Sequence, residues 1–255
     1  MGPASAEVAS GPPSGRAGRS RRRLLAAAVT VVVALSGGGA GAALPRASGS
    51  TRRVVLMGDS LLAQASTDIA HRLARLGDRV DASAAYPGAG LLDTRIDWLG
   101  IAARLVRTER PAAAVVEYVG NYGVYGSIPG VRVYSAAFYS RWAAAAQRLE
   151  DILASRGATV YWVIGPPVAP RAAEAGIVHL DRIYQHLHRP GSSSPPPLID
   201  VTPALSGGTG HYREFLPGRH GRPVQVRLAD GVHLSAAGAA LFARVVVAAL
   251  SQLAH

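Results

Sequence analysis

The chain has 255 residues, of which 49% are hydrophobic and only 6% aromatic, enough apolar surface for one domain to bury a core of its own. It contains no cysteine, so disulfides, thiolate metal sites and cysteine nucleophiles are excluded. The formal net charge is +11, and all 27 basic residues are arginine. No arginine run interleaved with aromatics accompanies this charge, so we expect a solvated basic surface and no nucleic-acid partner.

The first 52 residues differ in composition from the rest of the chain. Residues 1–20 are rich in Gly, Pro and Ser, and the basic segment Ser-Arg-Arg-Arg-Leu-Leu at 20–25 then leads into uncharged apolar and small residues. This is the layout of a signal peptide, and its paired arginines resemble a twin-arginine export signal. Residues 24–44 are also long enough to span a bilayer, so a retained membrane anchor is the alternative. Either way we expect an exported domain over residues 53–255.

From residue 53 onward, apolar runs alternate with helical patterns, which predicts βα units on a parallel sheet. Strands are predicted at 54–57, 79–83, 112–119, 159–164 and 198–201. Helices are predicted at 61–76, 91–108, 135–156, 171–188 and 235–253. The long loop at 206–222 is predicted to form part of a substrate rim, because loops of this length inside a compact domain are often functional.

The segment Gly58-Asp59-Ser60 follows the first predicted strand and opens the first predicted helix. Ligands of open parallel sheets bind beyond the carboxyl ends of the strands, and free N–H groups at a helix start favour developing negative charge. Ser60 is therefore a candidate nucleophile. An ordinary helix-capping turn is the alternative reading of this segment.

Asp230 and His233 lie just before the last predicted helix. Their spacing lets the carboxylate reach one ring nitrogen while the other faces a nucleophile, as a serine–histidine–aspartate mechanism requires. A capping turn with an incidental histidine is the alternative reading.

Two further loops offer donors to an oxyanion. Asn121 follows the strand predicted at 112–119, where its side-chain amide can donate a hydrogen bond. Gly88 follows the second predicted strand, and the lack of a side chain lets its N–H approach a substrate closely. Gly90 is an alternative to Gly88 for this role.

In this order, the four segments resemble the four sequence blocks of the SGNH/GDSL hydrolases. Ser60 falls in the Gly-Asp-Ser block, Gly88 in the glycine block, Asn121 in the asparagine block, and Asp230 and His233 in the Asp-x-x-His block. The asparagine block departs from the family pattern Gly-x-Asn-Asp, since it reads Val-Gly-Asn-Tyr here. The resemblance covers residues 54–245.

The resemblance implies a three-layer α/β/α sandwich with a parallel sheet of about five strands, of the SGNH/flavodoxin-like class. It implies that Ser60 attacks an ester carbonyl, that His233 acts as base and then as acid, and that Asp230 orients the histidine. The N–H groups of Ser60 and Gly88 and the amide of Asn121 would hold the oxyanion. The family uses neither a metal nor an organic cofactor for this reaction.

The expected function is that of an extracytoplasmic serine esterase that removes a short acyl group from a carbohydrate or a small ester. An O-acyltransferase acting on envelope glycans would use the same residues, and a catalytically silent glycan-binding domain would keep the same scaffold. An α/β-hydrolase is disfavoured, because no Gly-x-Ser-x-Gly motif surrounds Ser60.

Other residues invite weaker readings. His179 and His186 are seven residues apart and can share a helix face, but no carboxylate completes a convincing set of metal ligands, so no metal site is predicted. Tyr122 and Tyr125 are candidates for the lining of the substrate pocket.

Overall fold

A computed structural model describes residues 51–252, apart from the side chain of Arg219. The predicted signal peptide or membrane anchor at 24–44 lies outside the described residues. Five parallel strands form the main sheet: β1 Arg53–Gly58, β2 Arg79–Ala85, β3 Ala113–Glu117, β4 Thr159–Ile164 and β5 Leu198–Asp200. Two short strands, β6 Phe215–Pro217 and β7 Pro223–Gln225, pair with each other in an antiparallel hairpin. The helices are α1 Ser60–Ala74, α2 Trp98–Glu109, α3 Ala136–Ala154, α4 Arg171–Gln185, α5 Thr202–Ser206 and α6 Ala236–Gln252.

The strand order of the main sheet is β2-β1-β3-β4-β5. The chain passes from β1 to β2 on one side and then returns to β3 on the other side of β1. The connections therefore diverge between β1 and β3. Ligands of doubly wound sheets bind at such a point, beyond the carboxyl ends of the strands. The predicted three-layer α/β/α sandwich with about five parallel strands is confirmed.

Strand β1 is buried on both faces, which explains its unbroken apolar sequence. Val54 and Leu56 pack in the same apolar cluster as α1 and α6, whereas Val55 and Met57 pack with α2 and α3 on the opposite face. Successive side chains of a strand point to opposite faces, so this one strand contributes to both cores of the sandwich. It is thereby fixed at the centre of the sheet, and its end at Gly58 is fixed with it.

The structure differs most from the predicted elements at the start of α2 and in the interval 206–222. Helix α2 begins at Trp98 rather than at residue 91, because the preceding residues form turns and Asp97 caps the helix by accepting from Gly100 N–H at 2.9 Å. The interval 206–222, predicted as a loop, contains the end of α5 and the strand β6. Within residues 51–252, no helix combines the length and the apolar character needed to cross a membrane.

Candidate active site

The site begins where β1 turns into α1. Gly58 is required there, because a Cβ at this position would lie 2.3 Å from the backbone oxygen of Glu117. Asp59 caps α1 by accepting from Leu61 N–H at 3.1 Å, and Ser60 is the first helical residue. Among the described residues, neither the N–H nor the hydroxyl of Ser60 has a hydrogen-bond partner, and the residue keeps 3% of its surface exposed. Ser60 therefore presents a free hydroxyl beside a free N–H at a helix start.

The carboxylate of Asp59 joins this turn to the segment that follows β3. Its Oδ2 accepts from Val119 N–H at 2.9 Å and from the side-chain amide of Asn121 at 3.1 Å. One N–H of the Asn121 amide is thus anchored, and the other has no acceptor within residues 51–252. The strand β3 ends earlier than predicted because Val119 bonds to Asp59 instead of to a neighbouring strand. The Asn121 side chain therefore lies at the Gly-Asp-Ser turn.

Of the two glycines in the segment after β2, Gly88 has a backbone N–H without an acceptor, and Gly90 has one that is hydrogen-bonded within the described residues. Gly88 has a φ of +75°, which favours glycine, and its N–H has no acceptor in the described part of the chain. The N–H of Gly90 instead donates to Asp93 Oδ2 at 2.8 Å. Gly88 is therefore the one of the two predicted glycines whose N–H is free to bind a substrate.

Asp93, which the sequence did not single out, connects the glycine and asparagine segments. Besides the Gly90 N–H, its carboxylate accepts from Gly123 N–H at 2.8 Å. The two loops approach so closely that a Cβ on Gly90 would lie 1.6 Å from the backbone oxygen of Asn121. The positions of the two predicted oxyanion segments therefore depend on each other.

His233 and Asp230 are in direct contact. His233 Nδ1 lies 2.8 Å from Asp230 Oδ2, and the other carboxylate oxygen accepts from the N–H groups of Val232 and His233 at 2.8 and 2.9 Å. Burial pushes the pKa of Asp230 upward, but these N–H donors and the imidazole outweigh it and lower the pKa to about 2. Asp230 is therefore a carboxylate at neutral pH, and it leaves Nε2 as the unoccupied ring nitrogen.

One hydrogen bond ties the histidine loop to the helix that begins at Ser60. The N–H that follows His233, on Leu234, donates to Gln64 Oε1 at 3.0 Å, and Gln64 lies one helical turn after Ser60 on α1. Burial raises the pKa of Asp59, and the N–H donor of Val119 is the largest influence that opposes this rise. No hydrogen bond joins His233 to Ser60 within residues 51–252.

Arg227 holds the same loop from inside the protein. It is 1% exposed, and its two terminal nitrogens donate to the backbone oxygens of Val232 at 2.6 Å and Pro167 at 2.9 Å. Its Nε has no hydrogen-bond partner, and burial lowers the pKa of the guanidinium to about 10. A single arginine between the buried Val226 and the exposed Leu228 gave no sequence signal for this position.

A second carboxyl group, that of Glu117, lies beneath the Gly-Asp-Ser turn. Glu117 is fully buried at the end of β3, its backbone oxygen accepts from Asp59 N–H at 3.1 Å, and its Oε2 accepts from Leu62 N–H at 3.2 Å. Burial, followed by the charge of Asp59, raises its pKa well above the ordinary value. A charged residue within an otherwise apolar strand sequence was the available signal for this position.

A groove of about 650 Å³ lies beside Asn121. It is lined by Tyr122, Gly123, Ser127, Val131, Arg132, Val133, Tyr134 and Ser135. Of the two tyrosines proposed as pocket residues, Tyr122 lines this groove, whereas Tyr125 donates its hydroxyl to the backbone oxygen of Pro87 at 3.1 Å. Asn121, the residue before Tyr122, is not itself among the lining residues, and neither are Ser60 and His233.

The two histidines considered as metal ligands have other contacts. His179 stacks on Tyr139 with the ring centroids 3.7 Å apart, and His186 Nδ1 lies 2.6 Å from the backbone oxygen of Arg182. Within residues 51–252, no group of three or more His, Asp or Glu side chains is arranged to hold a metal ion.

Comparisons with known proteins agree with this architecture. The family described as "Protein of unknown function (DUF459)" matches residues 53–249. No curated protein matches the sequence. The solved structure of TesA is 21% identical, with a TM-score of 0.53, over 79% of this chain and 99% of TesA. The psychrotrophic esterase EstA from Pseudoalteromonas sp. is 11% identical, with a TM-score of 0.52, over 79% of this chain and 98% of its own.

A putative lipolytic protein of the G-D-S-L family from Desulfitobacterium hafniense DCB-2 is 8% identical, with a TM-score of 0.52, over 78% of this chain and 99% of its own. Similarity at this level shows a shared fold. The chain therefore belongs to the DUF459 family and has the fold of the GDSL/SGNH esterases.

Proposed function

We propose that this protein is a serine ester hydrolase, with Ser60 as nucleophile, His233 as general base and acid, and Asp230 as the residue that orients the histidine. The observation that carries the proposal is the 2.8 Å contact between His233 Nδ1 and Asp230, on a loop that Gln64 ties to the helix beginning at Ser60. A carboxylate at Nδ1 fixes the tautomer in which Nε2 accepts a proton, and it stabilises the imidazolium that forms.

Three unoccupied donors support this assignment. The N–H of Ser60, the N–H of Gly88 and the second N–H of the Asn121 amide have no acceptor within residues 51–252. Unpaired N–H donors are uncommon in folded proteins, and donors aimed at one point are what an oxyanion requires. We assign these three groups to the oxyanion that forms when Ser60 attacks the ester carbonyl.

The reaction follows from this assignment. Ser60 Oγ attacks the acyl carbon while its proton passes to His233 Nε2, and the tetrahedral oxyanion collapses as the alcohol leaves with that proton. Water then attacks the acyl-enzyme with the histidine again as base, which releases the acid and restores Ser60. Catalytic hydrogen bonds often shorten only when substrate is bound, so the lack of a Ser60–His233 bond in the free protein is compatible with this mechanism.

For the substrate we propose a short acyl ester, with a carbohydrate as the alcohol. The groove beside Asn121 carries two tyrosine rings and two serine hydroxyls, side chains that suit stacking on and hydrogen bonding to a sugar. EstA and the G-D-S-L protein, which share the fold, are named as an esterase and a lipolytic protein. An O-acyltransferase would use the same chemistry with a glycan hydroxyl in place of water.

The test is hydrolysis of p-nitrophenyl acetate, with Ser60→Ala as the active-site variant and Ser66→Ala, on the same helix, as the matched control. We expect Ser60→Ala to reduce kcat to background and Ser66→Ala to retain it. A fluorophosphonate probe should label the wild-type protein at Ser60 and leave Ser60→Ala unlabelled. Full activity of Ser60→Ala, or labelling at another residue, would refute the proposal. Acyl transfer to added glycan acceptors, in preference to release into water, would identify a transferase.

We further propose that the protein acts outside the cytoplasm, because the basic segment at 20–25 and the apolar residues that follow have the layout of an export signal. Replacing Arg21 and Arg22 by lysine should retain the protein in the cytoplasm if the twin-arginine route is used. Cell fractionation, with the size of the exported chain, distinguishes a cleaved signal from a retained anchor. Unchanged export of the lysine variant would exclude the twin-arginine route.

A further inference from the structure

Two buried carboxyl groups lie behind the proposed oxyanion donors and take no part in the proton transfers described above. Asp59 and Glu117 are both fully buried, and their side chains are in hydrogen-bonding contact with each other. Ionising both in such a place is unfavourable, since each charge loses its hydration and repels the other. The pair therefore holds one proton at neutral pH.

The donors around the pair decide which carboxyl holds that proton. Both oxygens of Asp59 accept hydrogen bonds, from Leu61 N–H, Val119 N–H and the Asn121 amide. Glu117 accepts from Leu62 N–H through Oε2, whereas its Oε1 is enclosed and faces no donor among the described residues. The negative charge is stabilised where the donors are, on Asp59. A proton on Glu117 gives its carboxyl a donor, which can bond to Asp59, and removes the repulsion between two adjacent charges.

We propose that Glu117 is a positioning residue of the active site, whose protonated carboxyl donates to Asp59 and so holds the Asp59 carboxylate where it binds the Asn121 amide. This role rests on the proposed function, because it acts through a donor to the oxyanion. If Glu117 lost its proton, two adjacent carboxylates would repel each other and the anchor of Asn121 would shift. We therefore expect kcat to decline at alkaline pH for a reason separate from the histidine.

Other charged and titratable groups interact electrostatically with the pair. They are Tyr118 after β3, Tyr134 before α3, Tyr184 on α4, and Arg227 and His233 on the segment before α6. Burial raises the pKa of each of the three tyrosines above its ordinary value, so they are neutral at neutral pH. A histidine acts as general base only in its neutral form, which has no further proton to lose in the accessible alkaline range. At alkaline pH Glu117 and Arg227, whose pKa is about 10, both remain to titrate, and a variant that removes only the Glu117 proton separates the two.

The test compares kcat and KM across pH for two variants at this position. Glu117→Gln keeps a donor toward Asp59 and an acceptor for Leu62 N–H but cannot titrate, whereas Glu117→Leu lacks both groups. Glu150→Gln is the matched control, because Glu150 is also fully buried with an unpartnered oxygen and bonds to Trp162 at 2.8 Å, away from the site.

We expect Glu117→Gln to match the wild-type kcat within about twofold at neutral pH and to extend the plateau to higher pH. Glu117→Leu should lower kcat by about tenfold or more with little change in KM, since oxyanion donors act in the transition state. Glu150→Gln should reproduce the wild-type profile. An alkaline limb that is unchanged in Glu117→Gln would overturn the proposal even if Glu117→Leu failed to fold.

An infrared measurement tests the buried proton without reference to activity. The wild-type spectrum minus that of Glu117→Gln should show the carbonyl band of a protonated carboxyl group at neutral pH. Absence of that band would overturn the role of Glu117 and leave the Ser60 mechanism standing. If the band were present in a protein that hydrolyses no ester, the proposed function would fail, and with it the catalytic role of this proton.

Discussion

Replacing Arg227 by methionine tests how the histidine loop is held. The variant removes the donors from two backbone oxygens, that of Val232 at 2.6 Å, which is partly buried, and that of Pro167 at 2.9 Å, which is buried. Each buried acceptor left without a partner costs about 1–3 kcal/mol. Loss of the guanidinium also removes a buried charge whose Nε has no partner, which offsets part of this cost. We expect a net loss of about 2–3 kcal/mol in the free energy of unfolding.

For a domain of this size each kcal/mol corresponds to about 2–4 °C in Tm, so Arg227→Met should unfold roughly 5–10 °C below the wild type. Because Val232 precedes His233, kcat for p-nitrophenyl acetate should fall by about tenfold. Arg227→Lys should have a Tm and a kcat between those of the wild type and Arg227→Met, because a single ammonium is a poor substitute for two spaced donors. Arg141→Met, at an exposed site on α3, controls for loss of charge. An Arg227→Met protein that melts within about 2 °C of wild type would refute this reasoning.

Three further substitutions have definite expected outcomes. The low pKa of Asp230 stabilises the folded state above the unfolded value of 3.8, and this contribution is lost as pH falls through about 2. Asp230→Asn should therefore show a smaller loss of Tm over that acidic range, by a small amount because the side chain is 47% exposed, and a much lower kcat. Asn121→Ala should lower kcat about 10²–10³-fold with KM nearly unchanged. A rise in KM by the same factor, with kcat unchanged, would instead indicate that the Asn121 amide binds the substrate in the ground state. Gly90→Ala places a methyl group 1.6 Å from the Asn121 backbone oxygen, so it should lower both Tm and kcat, and wild-type values of both would contradict the loop geometry.

The fold was predictable because its signals are local and repeated. The continuous apolar run in β1 reflects burial on both faces, and the predicted strand at 159–164 coincides with β4. The start of α2 was predicted wrongly because Leu91 and Leu92 are apolar and buried, as helical residues would be, yet they lie in a turn. The spacing of apolar residues indicates which residues are buried, but it does not distinguish a buried helix from a buried turn.

The candidate site was predictable only in part. The segments that carry Ser60, Asn121 and His233 follow strands or precede a helix, so their convergence follows from the parallel sheet. Whether these residues form a catalytic triad remains a prediction. The residues that hold them, such as Asp93 and Arg227, act through contacts with backbone atoms of distant segments. A bond to another segment's N–H or carbonyl leaves no pattern in the order of residues.

The bridge made by Asp93 has a consequence for how this protein could be altered. The Asp93 carboxylate accepts hydrogen bonds from backbone N–H groups of both segment 86–95 and segment 121–126. The sequence of one segment therefore cannot be replaced without disturbing the conformation of the other. Replacing only the segment 86–95 with one that lacks Asp93 would leave the Gly123 N–H without its acceptor. A design that aims to change substrate specificity should therefore exchange both segments together, with Asp93 included.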